Sequence, residues 1–579
     1  MNSFRSTLAT AWRLSAPYFR SEDRWAGRGL LGAVIAIELA LVGIDVLINQ
    51  WNNRFYNALQ ERNWANFVSE ITYFCVLAAI FILLAVYQLY LNQWLQIRWR
   101  RWLTNHYLGA WLGDGNHYRM QLLGDAADNP DQRMTDDVKL FVENTLAIGV
   151  GLLSSVVTLA SFIVILWGLS AAAPLHLFGS EFNIPGYLVW GALVYAIFGT
   201  TLTHLIGWPL ASLNFRQQAF EADFRFNLVR VRENSEQIAL LKGEAAERER
   251  LAERFGHVVE NWLAIMRRTK KVTAFTAGYS QAAVIFPYIL VAPAYFAEKI
   301  QLGGMMQTAS AFSSVQRALS FFVSIYRQLA EWRAVVDRLG GFEAAIASGH
   351  ALTVSGDTIR MVEGEGELAL HDLLVQLPKG QPLVSANGFA VQPGERVLVT
   401  GPSGSGKSTL FRAIAGTWPF GSGTIRIPAH AKLMVLPQRP YFPVGALRAA
   451  IAYPSPPQAF TTERLREVLG DVGLPALSDR IDEEAHWNRQ LSLGEQQRLG
   501  MARVLLERPD FLFLDEATAS LDEPSEALLY RLLQDRMPMA TIVSIGHRST
   551  LEAFHDRTAR MAPNGKEFAL GEGRETVKA

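Results

Sequence analysis

Nine consecutive residues, Gly401 to Thr409, read GPSGSGKST. They follow an apolar run, ERVLVT, and precede a helical pattern, LFRAIAGTW. A string G-x-x-x-x-G-K-[ST] set between a strand and a helix is a phosphate cradle. Gly401, Gly404 and Gly406 let the backbone turn tightly, so the N–H groups of the loop that includes Pro402, Ser403 and Ser405 point at phosphate oxygens. The helix that follows adds the positive end of its dipole. In such a loop Lys407 reaches the β- and γ-phosphates, the Ser408 hydroxyl ligates Mg²⁺, and Thr409 ends the motif.

Four further groups fit the same chemistry. FLFLDEATASLDE is an apolar strand ending in Asp515 and Glu516. An aspartate there holds Mg²⁺ through water, and the adjacent carboxylate polarises the attacking water, as a catalytic base does. VLPQRPYFPVG puts Gln438 at a strand end, within reach of the metal. LSLGEQQRLGMARVLLERP places Ser492 and Gly494 at the start of a helix whose amino end can receive a γ-phosphate. TIVSIGHRS puts His547 at another strand end. Singly, these are a capped helix, a loop glutamine and a surface histidine; in this order they describe a site for ATP and Mg²⁺.

The elements that must position these residues occupy the last part of a 579-residue chain. From residue 341 to 579, short β-rich runs alternate with helical patterns, the mark of an α/β domain. The preceding 340 residues are different. The whole chain is 50% hydrophobic and 19% charged, with mean hydropathy +0.11, against about 25% charged in soluble globules. The apolar excess lies in six stretches near Leu30–Leu47, Ile71–Leu91, Leu146–Leu169, Tyr187–Leu210, Val272–Phe296 and Thr308–Ala330, each near the length of a membrane helix. Lys and Arg crowd the arm before the first stretch and the segments after the second and fourth, while the loop after the third has none. That asymmetry places both termini in the cytoplasm. Residues 220–255 read as a helix continuing far beyond the bilayer, with a turn placed to touch a cytosolic domain. The helical pattern ends near Gly340-Gly341, and Ala347–Gly366 reads as a polar linker. The balance of 54 basic and 54 acidic residues excludes an intrinsic nucleic-acid binder, and the single cysteine, Cys75, excludes an intrachain disulfide.

Together these residues resemble an ATP-binding-cassette (ABC) ATPase: Walker A at Gly401–Thr409, Q-loop Gln438, signature LSLGE, Walker B ending Asp515-Glu516, D-loop Ser520-Leu521-Asp522 and switch His547. The resemblance implies an exporter-like fold, six transmembrane helices fused to an α/β P-loop domain. It also implies a half-transporter that works as a homodimer, with ATP held between Walker A of one copy and the signature helix of the other. The stretch Asn53–Gln60, NPDQRMTDDV (Asn129–Val138) and VRENSEQIALLKGE (Val231–Glu244) resemble the SbmA/BacA-like branch with its own fused ATPase, related to the peroxisomal fatty-acyl half-transporters. This implies ATP-driven movement of peptides or other hydrophilic solutes, cobalamin among them, across a bacterial inner membrane, with uptake as the expected direction. A fatty-acyl or lipid carrier and a proton-driven permease with a regulatory ATPase are the alternatives. Two departures stand out. The signature has Leu493 and Glu495 where Gly and Gln are commonest, and Leu377 stands where the family places an aromatic against adenine, which implies weak base selectivity.

Glu38 and Asp45, in the first apolar stretch, lie seven residues apart and so on nearly one helix face. Ionisable side chains inside a membrane segment face a cavity or a partner. Both are candidates to line a solute cavity favourable to cations; the other reading pairs Glu38 with Arg317 and sends Asp45 to the outer interface.

Overall fold

The computed structural model describes residues 2–124, 129–172, 175–177, 180–182, 184–354 and 358–575. They form two compact units: Met1–Tyr107 with Asn129–Gly341, and Leu108–Asp128 with Phe342–Ala579.

The first unit is helical. A short amino-terminal helix, α1 (Asn2–Ser15), leads into α2 (Arg24–Gln60), and α3 (Trp64–Leu112) runs back. The next helix, α4 (Asn116–Leu122), belongs to the second unit. After it come α5 (Val138–Ala172), a small hairpin of β1 (Leu175–Leu177) and β2 (Ser180–Phe182), α6 (Tyr187–Gly207), α7 (Pro209–Glu233), α8 (Ser235–Leu240), α9 (Glu244–Phe296), α10 (Leu302–Ser324) and α11 (Tyr326–Val354). Among the described residues, five helical runs, starting at Arg24, Trp64, Pro130, Tyr187 and Glu244, are long and apolar enough to cross a membrane. The sixth expected stretch is α10, which begins six residues earlier than its apolar run and stops at Ser324. Its inner face packs Ala311, Phe312 and Val315 against Phe162 and Leu166 of α5, Leu188 of α6 and Val291 of α9.

Three motifs singled out in the sequence acquire structural roles here. Asn49, Asn53 and Asn57 recur every fourth residue and so share one face of α2. They face α10 in a ladder of amide bonds. Gln307 Nε2 donates to Asn49 Oδ1 (3.2 Å), Asn53 Nδ2 to Gln307 Oε1 (2.7 Å), and the Gly303 N–H to Asn57 Oδ1 (2.8 Å). Gly303 is required by this contact, because a Cβ there would lie 1.9 Å from the Asn53 carbonyl oxygen. In the second motif, Arg133–Asp137 forms a π-helical turn. Its Asp137, almost wholly buried, accepts from Arg133 Nη1 (2.7 Å) and from Arg338 Nε of α11 (2.9 Å). The third motif forms the tip between α7 and α9, where Leu240 and Leu241 stand 77% and 82% exposed.

The expected helix end at Gly340-Gly341 and the linker over Ala347–Gly366 are corrected. Helix α11 continues through both glycines to Val354, and Arg360–Gly364 is a strand. Gly340 serves close packing instead, since a Cβ there would meet Thr10 at 3.0 Å, whereas a Cβ at Gly341 would meet nothing within 4 Å. Farther along, within the second unit, Gly349 lies against Asn116 of α4, whose Nδ2 donates to the Ile346 carbonyl (3.1 Å).

The second unit is built on one large sheet. Its strands are β3 (Arg360–Gly364), β4 (Leu368–Gln376), β5 (Pro382–Ala386), β6 (Phe389–Val391), β7 (Arg396–Thr400), β8 (Gly421–Pro428), β9 (Leu433–Leu436), β12 (Phe511–Asp515), β13 (Thr541–Ile545), β14 (Arg557–Asn564) and β15 (Glu567–Glu575). A minor pair, β10 (Gly445–Ala446) and β11 (Glu484–Ala485), stands apart. The order β14-β7-β13-β12-β9 is parallel throughout. Of these, β7, β13, β12 and β9 are mainly apolar runs, as expected when both faces are covered, while β14 alternates with charged and polar residues. The helices are α12 (Lys407–Ile414), α13 (Leu447–Ala452), α14 (Thr462–Asp471), α15 (Trp487–Gln490), α16 (Leu493–Glu507) and α17 (Glu523–Arg536). Phe411 of α12 packs edge-on against Phe513 of β12 at 5.0 Å, which fixes the helix after the phosphate loop to the sheet.

Candidate active site

Parallel sheets present ligand sites beyond the carboxyl ends of their strands. Here the residues picked out by their chemistry leave the ends of four adjacent strands. The loop Gly401–Gly406 follows β7, Gln438 follows β9, Asp515 ends β12 with Glu516 next to it, and His547 follows β13. The register pairs Asp515 with Ile545 and Ile545 with Val399, so the ends are level.

The loop itself is preformed. Gly401, Gly404 and Gly406 have φ of 155°, 78° and 85°. Gly406 also admits the neighbouring strand, since a Cβ there would meet Val384 at 2.5 Å. Lys407 is 6% exposed, and its Nζ donates to the carbonyls of Gly401 (3.0 Å) and Pro402 (2.9 Å). Burial pushes its pKa down, opposed by the nearby Glu516 and Asp515 carboxylates. Pro402, Ser403 and Gly404 are exposed at the mouth of the loop. Inside, the buried Ser405 hydroxyl has no hydrogen-bond partner. A glycine-rich turn at a strand end, a buried cation and an orphan hydroxyl fit a polyphosphate. Ser408 Oγ donates to Asp515 Oδ1 at 2.8 Å. Burial is the main influence on Asp515 and raises its pKa, while the Ser408 bond opposes it. Two hard oxygen donors side by side, with phosphate oxygens to complete the shell, fit Mg²⁺.

Glu516 stands at the centre. Gln438 Nε2 donates to its Oε2 (3.3 Å), and His547 Nε2 lies 3.3 Å from its Oε1. Its backbone is left-handed, with φ of 50°, and its N–H donates to the Ile545 carbonyl (3.2 Å).

Ser492 and Gly494 begin α16, as expected, but their surroundings differ from the bare anion site the sequence suggests. Ser492 N–H and Oγ both donate to Glu495 Oε2, at 2.8 Å and 2.7 Å, and the Ser492 Oγ accepts in turn from the Glu495 N–H. This capping box holds the Glu495 carboxyl below the usual range, chiefly through the Ser492 hydroxyl. Among the described residues no hydrogen bond joins Ser492 or Gly494 to the phosphate loop of the same chain. Leu377 opens the turn between β4 and β5 and packs, half-buried, on the sheet core.

Sequence reasoning missed two residues. Gln497, wholly buried in α16, bonds to the segments that bear Gln438, Glu516 and Ser520. Arg548 donates to the carbonyls of Leu521 (2.8 Å) and Ala519 (3.3 Å), which holds the turn after Glu516. The second has a visible signal, since it directly follows His547.

In the helical unit, Glu38 accepts a hydrogen bond from Gln88 of α3, and Arg317 donates to Ser314 of its own helix (3.2 Å). The alternative Glu38–Arg317 pair is thus not formed. Asp45 is exposed and lies near enough to Arg317 and Glu38 for their charges to act on it.

Residues 14–296 match the family described as ABC transporter transmembrane region 2, and residues 385–519 match ABC transporter. The inner membrane ABC transporter ATP-binding protein YddA of Escherichia coli is 34% identical, over 94% of this chain and 96% of that one. ABC transporter D family member 2, chloroplastic, of Arabidopsis thaliana is 33% identical, over 96% and 87%. The lysosomal cobalamin transporter ABCD4 of Mus musculus is 26% identical, over 81% of each. Among solved structures, a bacterial Atm1-family ABC exporter with ATP bound superposes with a TM-score of 0.68, covering 93% of this chain and 94% of that one at 17% identity.

Proposed function

The chain belongs to the ABC transporters, as a half-transporter of fused membrane and ATPase parts related to the D family, and on that basis we propose that it imports hydrophilic solutes, peptides first among them. It is a multi-pass membrane protein whose ATPase domain hydrolyses ATP with Mg²⁺ to drive transport. The finer reading is an SbmA/BacA-like transporter of the bacterial inner membrane, both termini cytoplasmic, working as a homodimer that moves peptides or cobalamin-like solutes.

The observation that supports active hydrolysis is the Glu516 carboxylate set between Gln438 and His547, next to the Ser408–Asp515 pair. In this reading Glu516 takes the proton of the attacking water, and Gln438 and His547 orient that carboxylate. Lys407 and the loop N–H groups bind the phosphates. Ser408 and Asp515, with Gln438 near, hold Mg²⁺, which when bound draws charge off the phosphate oxygens. Among the described residues no hydrogen bond joins Ser492 or Gly494 to the phosphate loop of the same chain. This favours two copies arranged head to tail, each completing the other's site, with the exposed Leu240–Leu241 tip as a docking point for the partner copy. An intact hydrolytic centre speaks against a purely proton-driven permease. Leu377 in place of a stacking aromatic favours weak selection between ATP and GTP.

For the solute, the supporting feature is polar and acidic chemistry on α2. Glu38, with Gln88, and Asp45 would give a water-filled cavity a negative potential suited to cationic peptides. The test is transport into proteoliposomes, with ATP on one side and labelled cationic peptides, neutral peptides, cobalamin and a fatty-acyl thioester in parallel. Cationic peptide uptake that weakens in Glu38→Gln and Asp45→Asn, with neutral solutes and basal ATPase spared, is the expected result. Movement of the acyl thioester alone would replace this reading with the lipid one.

A further inference from the structure

Gln497 is a neutral residue in the middle of a helix, yet it is 0% exposed. A buried amide is costly unless its groups find partners, and the backbone of α16 already satisfies itself. The partners lie on three other segments. Gln497 Nε2 donates to the Gln438 carbonyl (3.1 Å) and faces the Glu516 carbonyl at 3.5 Å. Its Oε1 accepts from the Ser520 N–H at 3.0 Å. One side chain therefore touches the backbone of the loop after β9, of the end of β12 and of the turn that follows it.

We infer that Gln497 is a positioning residue for ATP hydrolysis, holding the backbone of Glu516 so that its carboxylate is aimed at the attacking water. The inference rests on the reading of Glu516 as the base. The physical argument begins with the left-handed conformation of Glu516, φ 50°. A non-glycine residue keeps such a conformation only where its surroundings over-determine it. On one side the Glu516 N–H is bound to Ile545; on the other its carbonyl accepts from the Ala519 N–H (3.1 Å) and faces the Gln497 amide (3.5 Å), which also binds the Ser520 N–H of the same turn. Removing that amide leaves the Glu516 carbonyl with the Ala519 N–H alone and releases the Ser520 N–H, so the turn that fixes the Glu516–Ala517 peptide loosens and the carboxylate is less firmly aimed between Gln438 and His547. Gln497 also sits five residues beyond Ser492 on one helix. Any shift of the α16 amino end is carried, through a rigid helix, to the three carbonyl and N–H groups that Gln497 holds.

The test is steady-state ATPase kinetics of the full-length protein in lipid nanodiscs, with nucleotide affinity and thermal unfolding measured alongside. Gln497→Met keeps volume and helix propensity and removes every hydrogen bond. Gln497→Glu keeps shape and the bond from Ser520 and loses the donation to both carbonyls. The expected outcome in both is a kcat lowered about 10- to 100-fold, as misplacement of a reacting group gives, with KM and nucleotide Kd within about twofold. A purely structural role would lower unfolding temperature and leave kcat per folded molecule unchanged, which overturns the inference. So does failure of both variants to fold. Glu516→Gln serves as the control: if it hydrolyses ATP normally, the base itself is misassigned and the inference falls with it. If Glu516→Gln is dead and either folded Gln497 variant turns over normally, only the positioning role is refuted.

Discussion

The Ser492 hydroxyl donates to the Glu495 carboxylate at 2.7 Å, so the residue that caps the signature helix is already bound to an anion of its own chain. A carboxylate at a helix amino end satisfies the same N–H groups and dipole that an incoming phosphate would use. Glu495→Gln should therefore lower the KM for ATP or raise the apparent affinity of nucleotide-driven dimerisation, because it removes the competing charge and keeps the cap shape. The Glu495 carboxyl is held below its usual range, so its stabilising share is present above that range and is lost as pH falls through the lowered value. An unchanged KM in Glu495→Gln, measured at neutral pH, would show that the carboxylate does not compete.

How much of this was legible depended on the distance between partners in sequence. The phosphate loop and Asp515-Glu516 are contiguous strings with one local geometry each, and the structure places them at the same end of one parallel sheet, on β7 and β12 with β13 between. Gln497 gave no such signal, since its partners lie 19 to 59 residues away and nothing local marks a helical glutamine as buried. Asn53 and Asn57 lie in a stretch that stood out by its family resemblance, but nothing in it pointed to Gln307, 254 residues beyond Asn53. Gly340 and Gly341 misled for a physical reason. Glycine ends helices and also lets helices touch, and at Gly340 only the neighbouring Thr10 decides which; Gly341 has open space beside it and is simply carried in the helix.

Lys407 and Glu516 should separate binding from turnover. Lys407→Ala removes the cation that the loop carbonyls hold in place and should abolish tight nucleotide binding. Glu516→Gln should bind ATP normally and lose about 10²- to 10⁴-fold in turnover, the range for a lost general base. Mixing Lys407→Ala with Ser492→Arg subunits should restore part of the ATPase activity, because one intact composite site forms. Inactive mixed dimers, shown to assemble, would refute head-to-tail sharing.

His555 provides a pH dependence with a defined sign. Its Nδ1 donates to the Leu551 carbonyl (2.7 Å), and its Nε2 accepts from Ser544 (2.8 Å), an arrangement one neutral tautomer satisfies. Burial pushes its pKa down to about 4. The unfolded chain, near 6.5, binds the proton first, so stability is complete above pH 6.5 and falls as pH drops towards 4. The loss over that window is on the order of 3 kcal/mol. Denaturation of the full-length protein across pH 4–7 should show it, and His555→Gln should flatten the slope. An equally steep slope in the variant would exclude His555 as the cause.

The amide ladder between α2 and α10 should behave as a coupled unit. Asn53→Ala and Gln307→Ala each break the 2.7 Å bond between them, so the double variant should be less destabilised than the sum of the singles. The coupling should be about 0.6–2 kcal/mol, the range for hydrogen bonds between membrane helices. Strict additivity in detergent unfolding would mean the bond contributes nothing.

The left-handed backbone of Glu516 sets activity against endurance. That conformation costs a residue with a side chain about 1–2 kcal/mol, a penalty glycine escapes. Glu516→Gly should therefore melt higher than Glu516→Gln, which retains the penalty, while neither turns over ATP. Selection for durability alone would favour glycine at this position, and the glutamate marks a site where the chain is less stable than its fold allows. Thermal screens of random variants should recover inactive, hardier proteins altered at residue 516.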